Sequence, residues 1–228
     1  MRDEVQLIIE TGGAWRAYRA RLRVGTPTDR TALVRSWGPA FEDGPDHWTD
    51  RDWPWDTFGT SDLHLDPNPQ WLVIADELEP GASGELFGVL VTTGPATAQE
   101  AGLGELSGPG KPLARDCALL WVEHIAIAPS IRFPDCPASH RRKQHVKGVG
   151  PQLMRVAIER SEALGLSGRI GLHAEGDRAR DTYTVKWLMI CLGEAVHRAG
   201  DTYPVCFGDV GWAAQFCARL DAKEGGKP

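Results

Sequence analysis

Residues 145–165 read HVKGVGPQLMRVAIERSEALG, a glycine-rich turn that runs directly into a stretch with apolar residues at helical spacing. Pro151 suits the first turn of the predicted helix, and Gly165 suits its C-terminal cap. Such a turn presents successive backbone N–H groups at the positive end of the helix dipole, where a phosphate or pyrophosphate can bind. Gly148 and Gly150 lack the Cβ that would block a close approach.

Two strand-like segments flank this predicted helix. Residues 118–128, ALLWVEHIAIA, form the strongest apolar run of the chain and are followed by Pro129, which indicates a central strand. Residues 169–175, RIGLHAE, alternate as a strand does. A further helix is predicted after them, with the apolar stripe Ala179, Tyr183, Trp187 and Ile190. We expect Asp177 to cap that helix.

The N-terminal half predicts the order strand, helix, strand, strand. A strand is predicted over 20–24, a helix over 26–37, and an antiparallel hairpin from 71–76 and 85–93. Residues 38–70 are rich in Pro, Gly, Asp and Trp without periodicity, which indicates a long functional loop or short irregular helices. Alternation of strands and helices predicts a mixed α/β fold.

We expect one domain over residues 1–228, with 38–70 as an irregular insertion and a C-terminal strand and helix tail at about 200–221. The net charge of −6, from 25 Lys plus Arg and 31 Asp plus Glu, disfavours nucleic acid as a partner. No apolar run approaches the roughly 20 residues of a membrane span, and the acidic start does not resemble a signal peptide. Five scattered cysteines suit a reducing compartment, so we expect a cytoplasmic protein.

Several common signatures fail on inspection. A stretch similar to GxGxxG places Ser107 where a dinucleotide fingerprint has its third glycine, and a Gly-Lys pair is followed by Pro112 rather than by Ser or Thr. No GxSxG, HExxH or paired CxxC occurs. Cys136, His140 and His145 lie among cations that would oppose a divalent ion, so we expect no metal.

The order strand, loop, HVKGVG, helix, strand, helix with a tyrosine resembles the GNAT superfamily of acyl-CoA-dependent N-acetyltransferases. The central motif of that family is Arg or Gln, two residues, Gly, one residue, Gly or Ala, placed after the fourth strand, and residues 145–150 match it here. The resemblance covers residues 118–187 well and the N-terminal order of elements loosely. It implies a mixed, mostly antiparallel GNAT-like sheet, flanked by helices and splayed between the family's fourth and fifth strands.

The implied activity is acyl-CoA-dependent N-acyl transfer, with acetyl-CoA as donor and a primary amine as acceptor, attacked directly without an acyl-enzyme. The amine could belong to a small molecule or a peptide. Two alternatives stay open: a non-catalytic acyl-CoA-binding sensor or scaffold of the same fold, and an acetyltransferase toxin acting on charged transfer RNA, which the acidic composition disfavours. A homodimer also remains open.

The resemblance assigns residues to the donor in three groups. The backbone cradle of the CoA pyrophosphate is formed by Val146, Lys147, Gly148, Val149, Gly150 and Gln152. The strand edge that offers amides to the pantetheine arm is formed by Ile125, Ala126 and Ile127. His145 stands at the motif's Arg or Gln position, and Arg142 belongs to a basic run that could supply charge to the phosphates.

The resemblance also implies an acid and a base. Tyr183 would protonate the leaving thiolate, and Glu123 would deprotonate the amine or order a water that does so. Each residue has a plainer interpretation, Tyr183 as core and Glu123 as the partner of a core arginine. His124 and His173 are interpreted as packed or surface histidines.

Three residues depart from the family pattern. His145 replaces Arg or Gln, Pro151 removes one N–H donor from the helix start, and Trp187 stands where the family has glycine after the tyrosine.

Three tryptophans are interleaved with acids in the irregular segment: Trp48, Trp53 and Trp55. Aromatic faces and carboxylates both attract cations, so we expect these residues to bind the amine-bearing acceptor. A solvated acidic loop anchored by tryptophans is the alternative.

Overall fold

The structure is a computed structural model that describes residues 3–11, 13–44, 70–75, 85–132, 145–196 and 201–225. Its strands are β1 (Glu4–Thr11), β2 (Ala14–Val24), β3 (Gln70–Ala75), β4 (Leu86–Thr97), β5 (Ala118–Ile127), β6 (Val146–Lys147), β7 (Ile170–His173), β8 (Ile190–Val196) and β9 (Thr202–Gly208). The strands of this described part form one nine-stranded sheet in the order β6-β1-β2-β3-β4-β5-β7-β9-β8.

Five α-helices lie in the described residues: α1 (Pro27–Ala32), α2 (Gly38–Glu42), α3 (Val149–Ala163), α4 (Asp177–Asp181) and α5 (Val210–Gly225). A π-helical turn, Leu33–Trp37, joins α1 to α2, and a second one, Thr182–Lys186, continues α4. A short 3-10 turn, Pro129–Ile131, follows β5.

Strand pairing produces a splay at the middle of the sheet. The pairings within the described sheet are antiparallel except that of β5 with β7, which is parallel. The parallel pairing ends at Val122 and Leu172, although β5 continues to Ile127. The predicted mixed, mostly antiparallel sheet with flanking helices and a splay is confirmed.

Side chains alternate between two faces of the sheet around β5. Leu120 and Val122 belong to the core that includes residues of α3, and their face is called the α3 face below. Leu119 and Trp121 pack on the other side, the far face, with Leu103 of the segment between β4 and β5. The glycine-rich excursion after β4 therefore covers the far face of the sheet.

A glycine lets the start of α3 approach β4 closely. A Cβ at Gly88 would lie 2.5 Å from Val149 Cγ1 and 2.9 Å from Leu153 Cδ1, closer than side chains pack. At the outer side of α3, Arg155 Nη1 lies 2.6 Å from Asp221 Oδ1 of α5. The helix is thus held between the sheet and α5.

The first helix begins with a reciprocal capping box. The Asp29 N–H donates to Thr26 Oγ1 over 3.3 Å, and the Thr26 N–H donates to Asp29 Oδ2 over 2.7 Å. Arg23 Nη2 also donates to Asp29 Oδ1 over 2.9 Å. Burial raises the pKa of the Asp29 carboxyl, but the hydrogen bonds from Arg23 and Thr26 outweigh it and hold that pKa below its usual value.

Most predicted elements are confirmed, with four corrections. The strand predicted over 20–24 begins at Ala14, and β1, β6 and β8 were not predicted at all. Ile190 was expected on the apolar stripe of the helix after Asp177, but it is the first residue of β8. Asp177 does not cap the helix that it opens, because Gly176 occupies the N-cap position without a side-chain cap. Of the predicted irregular segment, residues 45–69 lie outside the described residues.

Candidate active site

A cleft of about 870 Å³ opens where β5 and β7 separate. One wall is β5, from Val122 to Ile127, and the opposite wall runs from the end of β7 through α4 to Trp187. The glycine-rich residues 146–151 close one end. The splay of the sheet is therefore what creates the cleft.

The start of α3 offers backbone donors to this cleft. Gly148 is the N-cap residue with φ +94°, a left-handed conformation that favours glycine. Its carbonyl accepts the first helical bond, from the Gln152 N–H over 3.0 Å, so the preceding N–H groups of the turn have no acceptor within the helix. Among the described side chains none caps this terminus. The uncapped terminus fits an anionic group.

Tyr183 and Trp187 form the wall that faces the helix start. Their ring centroids lie 5.3 Å apart, and both are half-buried. A Cβ at Gly150 would lie 3.7 Å from Trp187 Cζ2, so the indole is in contact distance of the start of α3. The Trp187 carbonyl accepts hydrogen bonds from Trp212 Nε1 over 2.6 Å and from Arg219 Nη2 over 3.0 Å. Helix α5 thus fixes the turn that carries the tyrosine.

Glu123 is the extra residue of a β-bulge in β5. Thr92 pairs with Val122 and Val91 pairs with His124, which leaves Glu123 without an opposite residue in β4. Thr93 Oγ1 donates a hydrogen bond to Glu123 Oε1 over 3.0 Å. Bulges bend a strand and redirect a side chain, and here the redirected carboxylate lines the cleft.

The lining comes from both faces of the sheet. Val149 and Tyr183 belong to the core of the α3 face. His173 lies on the far face, since it pairs with Val205 of the far-face cluster and its ring centroid is 5.1 Å from that of Trp121. Val149, Tyr183 and His173 all line the cleft, which therefore connects the two faces of the sheet.

No protein-family model and no curated protein matches this sequence. Among solved structures, a "putative N-acetyltransferase from Lactobacillus plantarum" is 14% identical over 84% of this chain and 98% of that chain, with a TM-score of 0.44. A bacterial toxin is 13% identical over 90% and 87% of the two chains, with a TM-score of 0.45. AtaTR bound with AcCoA is 13% identical over 65% and 74%, with a TM-score of 0.36.

The mostly antiparallel sheet, the splay beside its parallel pair and the glycine-rich start of α3 agree with what the GNAT resemblance implies. The fold is GNAT-like. The lining of the cleft includes the two catalytic candidates, Glu123 and Tyr183. It also includes Ile125 and Ile127 of the strand edge and the motif residues Val146 to Gly150.

Three predicted donor residues lie apart from the lining. Ala126 is buried, although its backbone continues the strand edge. The His145 Nδ1 atom lies 3.0 Å from Glu10 Oε2 of β1, so the imidazole is engaged at the sheet edge. Gln152 is buried and its Nε2 donates to the Gln6 carbonyl over 3.0 Å, which holds the side chain towards β1.

Four predicted residues lie outside the described residues: Arg142, Trp48, Trp53 and Trp55. Their expected roles towards the CoA phosphates and the acceptor stay predictions.

Sequence reasoning missed charged and aromatic residues that line the cleft, chiefly His173 and Arg132. Arg132 Nε donates to the Ile127 carbonyl over 3.1 Å, and its guanidinium carbon lies 4.7 Å from the ring centroid of Phe41. Lys147 also belongs to the lining, and its Nζ lies 3.9 Å from the ring centroid of Trp15. The alternation of RIGLHAE predicts that His173 and Leu172 lie on opposite faces of the strand. It does not predict a cleft at His173, which results from the splay of the sheet.

The described residues contain no group of three or more His, Cys, Asp or Glu side chains that could hold a metal ion. In the same residues, no helix combines the length and the apolar character needed to cross a membrane.

Proposed function

We propose that this protein is an acyl-CoA-dependent N-acyltransferase that transfers acetyl from acetyl-CoA to a primary amine by direct attack. The observation that supports this most is the cleft between β5 and β7, which has an uncapped helix start on the α3 face and a carboxylate at a bulge beside the far face. Two reactants could meet there from opposite sides of the sheet.

The donor would bind on the α3 face. The N–H groups around Gly148 and Gly150 suit the pyrophosphate, and Lys147 adds a positive charge nearby. The edge of β5 from Ile125 to Ile127 runs past the end of the β5–β7 pairing, so it could offer amide contacts to the pantetheine arm, although the Ile127 carbonyl already accepts a hydrogen bond from Arg132 Nε. When bound, acetyl-CoA supplies the acyl group in an activated thioester.

Two side chains would move the protons that the transfer requires. As the amine nitrogen bonds to the acyl carbon, Glu123 would accept the amine proton, directly or through a water. As the carbon–sulfur bond breaks, the Tyr183 hydroxyl would donate a proton to the leaving thiolate. Their positions suit these separate roles, because Glu123 accepts a hydrogen bond from Thr93 of the far face and Tyr183 packs on the α3 face.

A non-catalytic acyl-CoA sensor is the second candidate. Pro151 has no N–H to offer in the first turn of α3, and the Trp187 indole lies against Gly150 at the same place. Both features would reduce the room and the donors for a pyrophosphate. They favour a protein that binds the donor weakly, or one that binds it without turnover.

The acceptor is proposed to be a primary amine on a small molecule or a peptide, bound with the help of Trp48, Trp53 and Trp55. We also propose a cytoplasmic location, because the five cysteines are odd in number and widely scattered, which suits a reducing compartment.

The deciding experiment incubates the protein with acetyl-CoA and a panel of primary amines and measures the release of free thiol. The proposal predicts amine-dependent release, with the acetylated amine identified by mass spectrometry. Acetyl-CoA binding in calorimetry without release for any amine would favour the sensor. Absence of both binding and release would refute the proposal in either form.

A further inference from the structure

Two cysteines that do not line the cleft lie opposite each other on neighbouring strands. Cys191 of β8 is the register partner of Cys206 of β9, and the preceding pair is Ile190 with Phe207. Directly opposite residues in an antiparallel pair have Cα atoms about 4.5 or 5.5 Å apart and side chains on the same face. Both spacings lie within the range of about 4.4 to 6.8 Å that a disulfide accepts.

The two thiols differ in their exposure. Cys191 is exposed on β8, the last strand in the order of the sheet, so reagents in solution can reach it. Cys206 is fully buried, and burial raises the pKa of its thiol to about 12, with a further contribution from Cys191 and an opposing one from Arg180. The electrostatic contribution of Cys191 is consistent with the closeness that the strand register indicates.

We propose that Cys191 and Cys206 are a redox-active dithiol that oxidises to a cross-strand disulfide by exchange with a low-molecular-weight disulfide such as oxidised glutathione. Cytosolic disulfides are usually transient and redox-sensing, which fits a pair of one exposed and one buried thiol that lie opposite each other. This inference is independent of the proposed acyl transfer.

The exchange takes place in two balanced steps. The Cys191 thiolate attacks one sulfur of the small disulfide, whose S–S bond breaks to release one thiol and leave a mixed disulfide on Cys191. The Cys206 thiol then loses its proton to solvent and attacks Cys191 Sγ, which releases the second small thiol. Two electrons pass from the protein to the oxidant. The raised pKa of Cys206 lowers its thiolate fraction and so slows the second step.

Oxidation would link β8, at the edge of the sheet, covalently to β9, which pairs with the cleft-lining strand β7. β9 pairs with β8 on one side and with β7 on the other, and β7 carries His173. A disulfide would fix the register of β8 on β9 and close a loop through residues 192–205. The oxidised protein is therefore expected to melt at a higher temperature than the reduced protein.

The test treats the folded protein with oxidised glutathione, blocks the remaining thiols by alkylation, and maps the linked peptides by mass spectrometry. We expect a Cys191–Cys206 link and a whole-chain mass about 2 Da lower than that of the reduced protein. Cys191→Ser should prevent the reaction, and Cys206→Ser should stop it at a stable glutathione adduct on Cys191. Cys217→Ser, which alters a half-buried thiol elsewhere, should leave the link unchanged.

Three outcomes would overturn the inference. They are no reaction at Cys191, a glutathione adduct on Cys191 of the unsubstituted protein that never converts, and a link from Cys191 to another cysteine. Circular dichroism before and after oxidation shows that the protein stays folded. Because Cys191 is exposed, Cys191→Ser is expected to fold normally and keeps the test informative even if Cys206→Ser does not fold.

Discussion

Gly88→Ala tests how closely α3 is seated on the sheet. The new Cβ would lie 2.5 Å from Val149 Cγ1 and 2.9 Å from Leu153 Cδ1. Carbon atoms pack at about 3.5 to 4.0 Å, so the start of α3 has to move outwards by about 1 Å. Overpacking of this kind costs typically 1–3 kcal/mol, and we expect the free energy of unfolding to fall by about 2 kcal/mol.

The same displacement moves the backbone donors of the helix start. We expect the affinity for acetyl-CoA to fall by about tenfold, which corresponds to about 1.4 kcal/mol. Urea unfolding followed by circular dichroism measures the first effect, and titration calorimetry measures the second. The two readouts separate the packing of α3 from its proposed role in binding.

A matched control and a rescue sharpen this test. Gly211→Ala also adds a Cβ, but its nearest neighbour is Asp209 Oδ1 at 3.5 Å, an ordinary contact, so stability should stay equal or rise. Adding Val149→Ala to Gly88→Ala removes the closest atom, so the double variant should lose less stability than the sum of the two single variants. Additive losses, or a Gly88→Ala protein as stable as the parent, would refute the packing described here.

Three further predictions concern the site and the first helix. Tyr183→Phe should bind acetyl-CoA normally but lose about 10²-fold in turnover, and Glu123→Gln should shift the pH profile of turnover. If Tyr183→Phe keeps full activity when chemistry limits the rate, the tyrosine is a core residue and not the acid. Gly150→Asp adds bulk and negative charge at the helix start and should abolish acetyl-CoA binding in calorimetry. Gly150→Ala, whose Cβ would make an ordinary contact, should keep the fold. Unchanged affinity of the Asp variant would mean that HVKGVG is a loop without a role in binding. Because the pKa of Asp29 is lowered on folding, its carboxylate stabilises the protein above the unfolded-state pKa, near 3.8, and this contribution is lost as the pH falls through the lower folded-state value. Asp29→Asn should be less stable by about 2–3 kcal/mol at pH 7 and should lose less on acidification, as measured by urea unfolding at several pH values; parallel pH curves for the two proteins would contradict this.

Sequence periodicity predicted the elements whose pattern is regular. Helix α3 combines an apolar stripe with Pro151 near its start and Gly165 after its end, and all three signals agree with the structure. β8 was missed because its first residue, Ile190, continues the apolar stripe expected for the preceding helix, whereas the structure ends that helical segment at Lys186. In β1 the alternation is intact, with Val5, Leu7 and Ile9 all buried, so that strand could have been predicted.

The parts of the site that depend on local sequence could be predicted. The glycine-rich helix start could be located because Gly148 adopts a conformation that few other residues tolerate. The directions of Gln152 and His145 depend on β1 and α5, which are distant in sequence. His173 faces the cleft only because β7 and β5 diverge beyond Leu172, a tertiary property that no single strand records.

The bulge in β5 has a genetic consequence. Glu123 is one residue more than the partner strand needs, and it is also the carboxylate of the proposed chemistry. Deleting its codon would make Val122 and His124 consecutive on a regular ladder, so the bend and the acidic group would disappear together while the neighbouring pairs kept their partners. A sheet with this bulge and its carboxylate and a sheet with neither are therefore a single in-frame codon deletion or insertion apart.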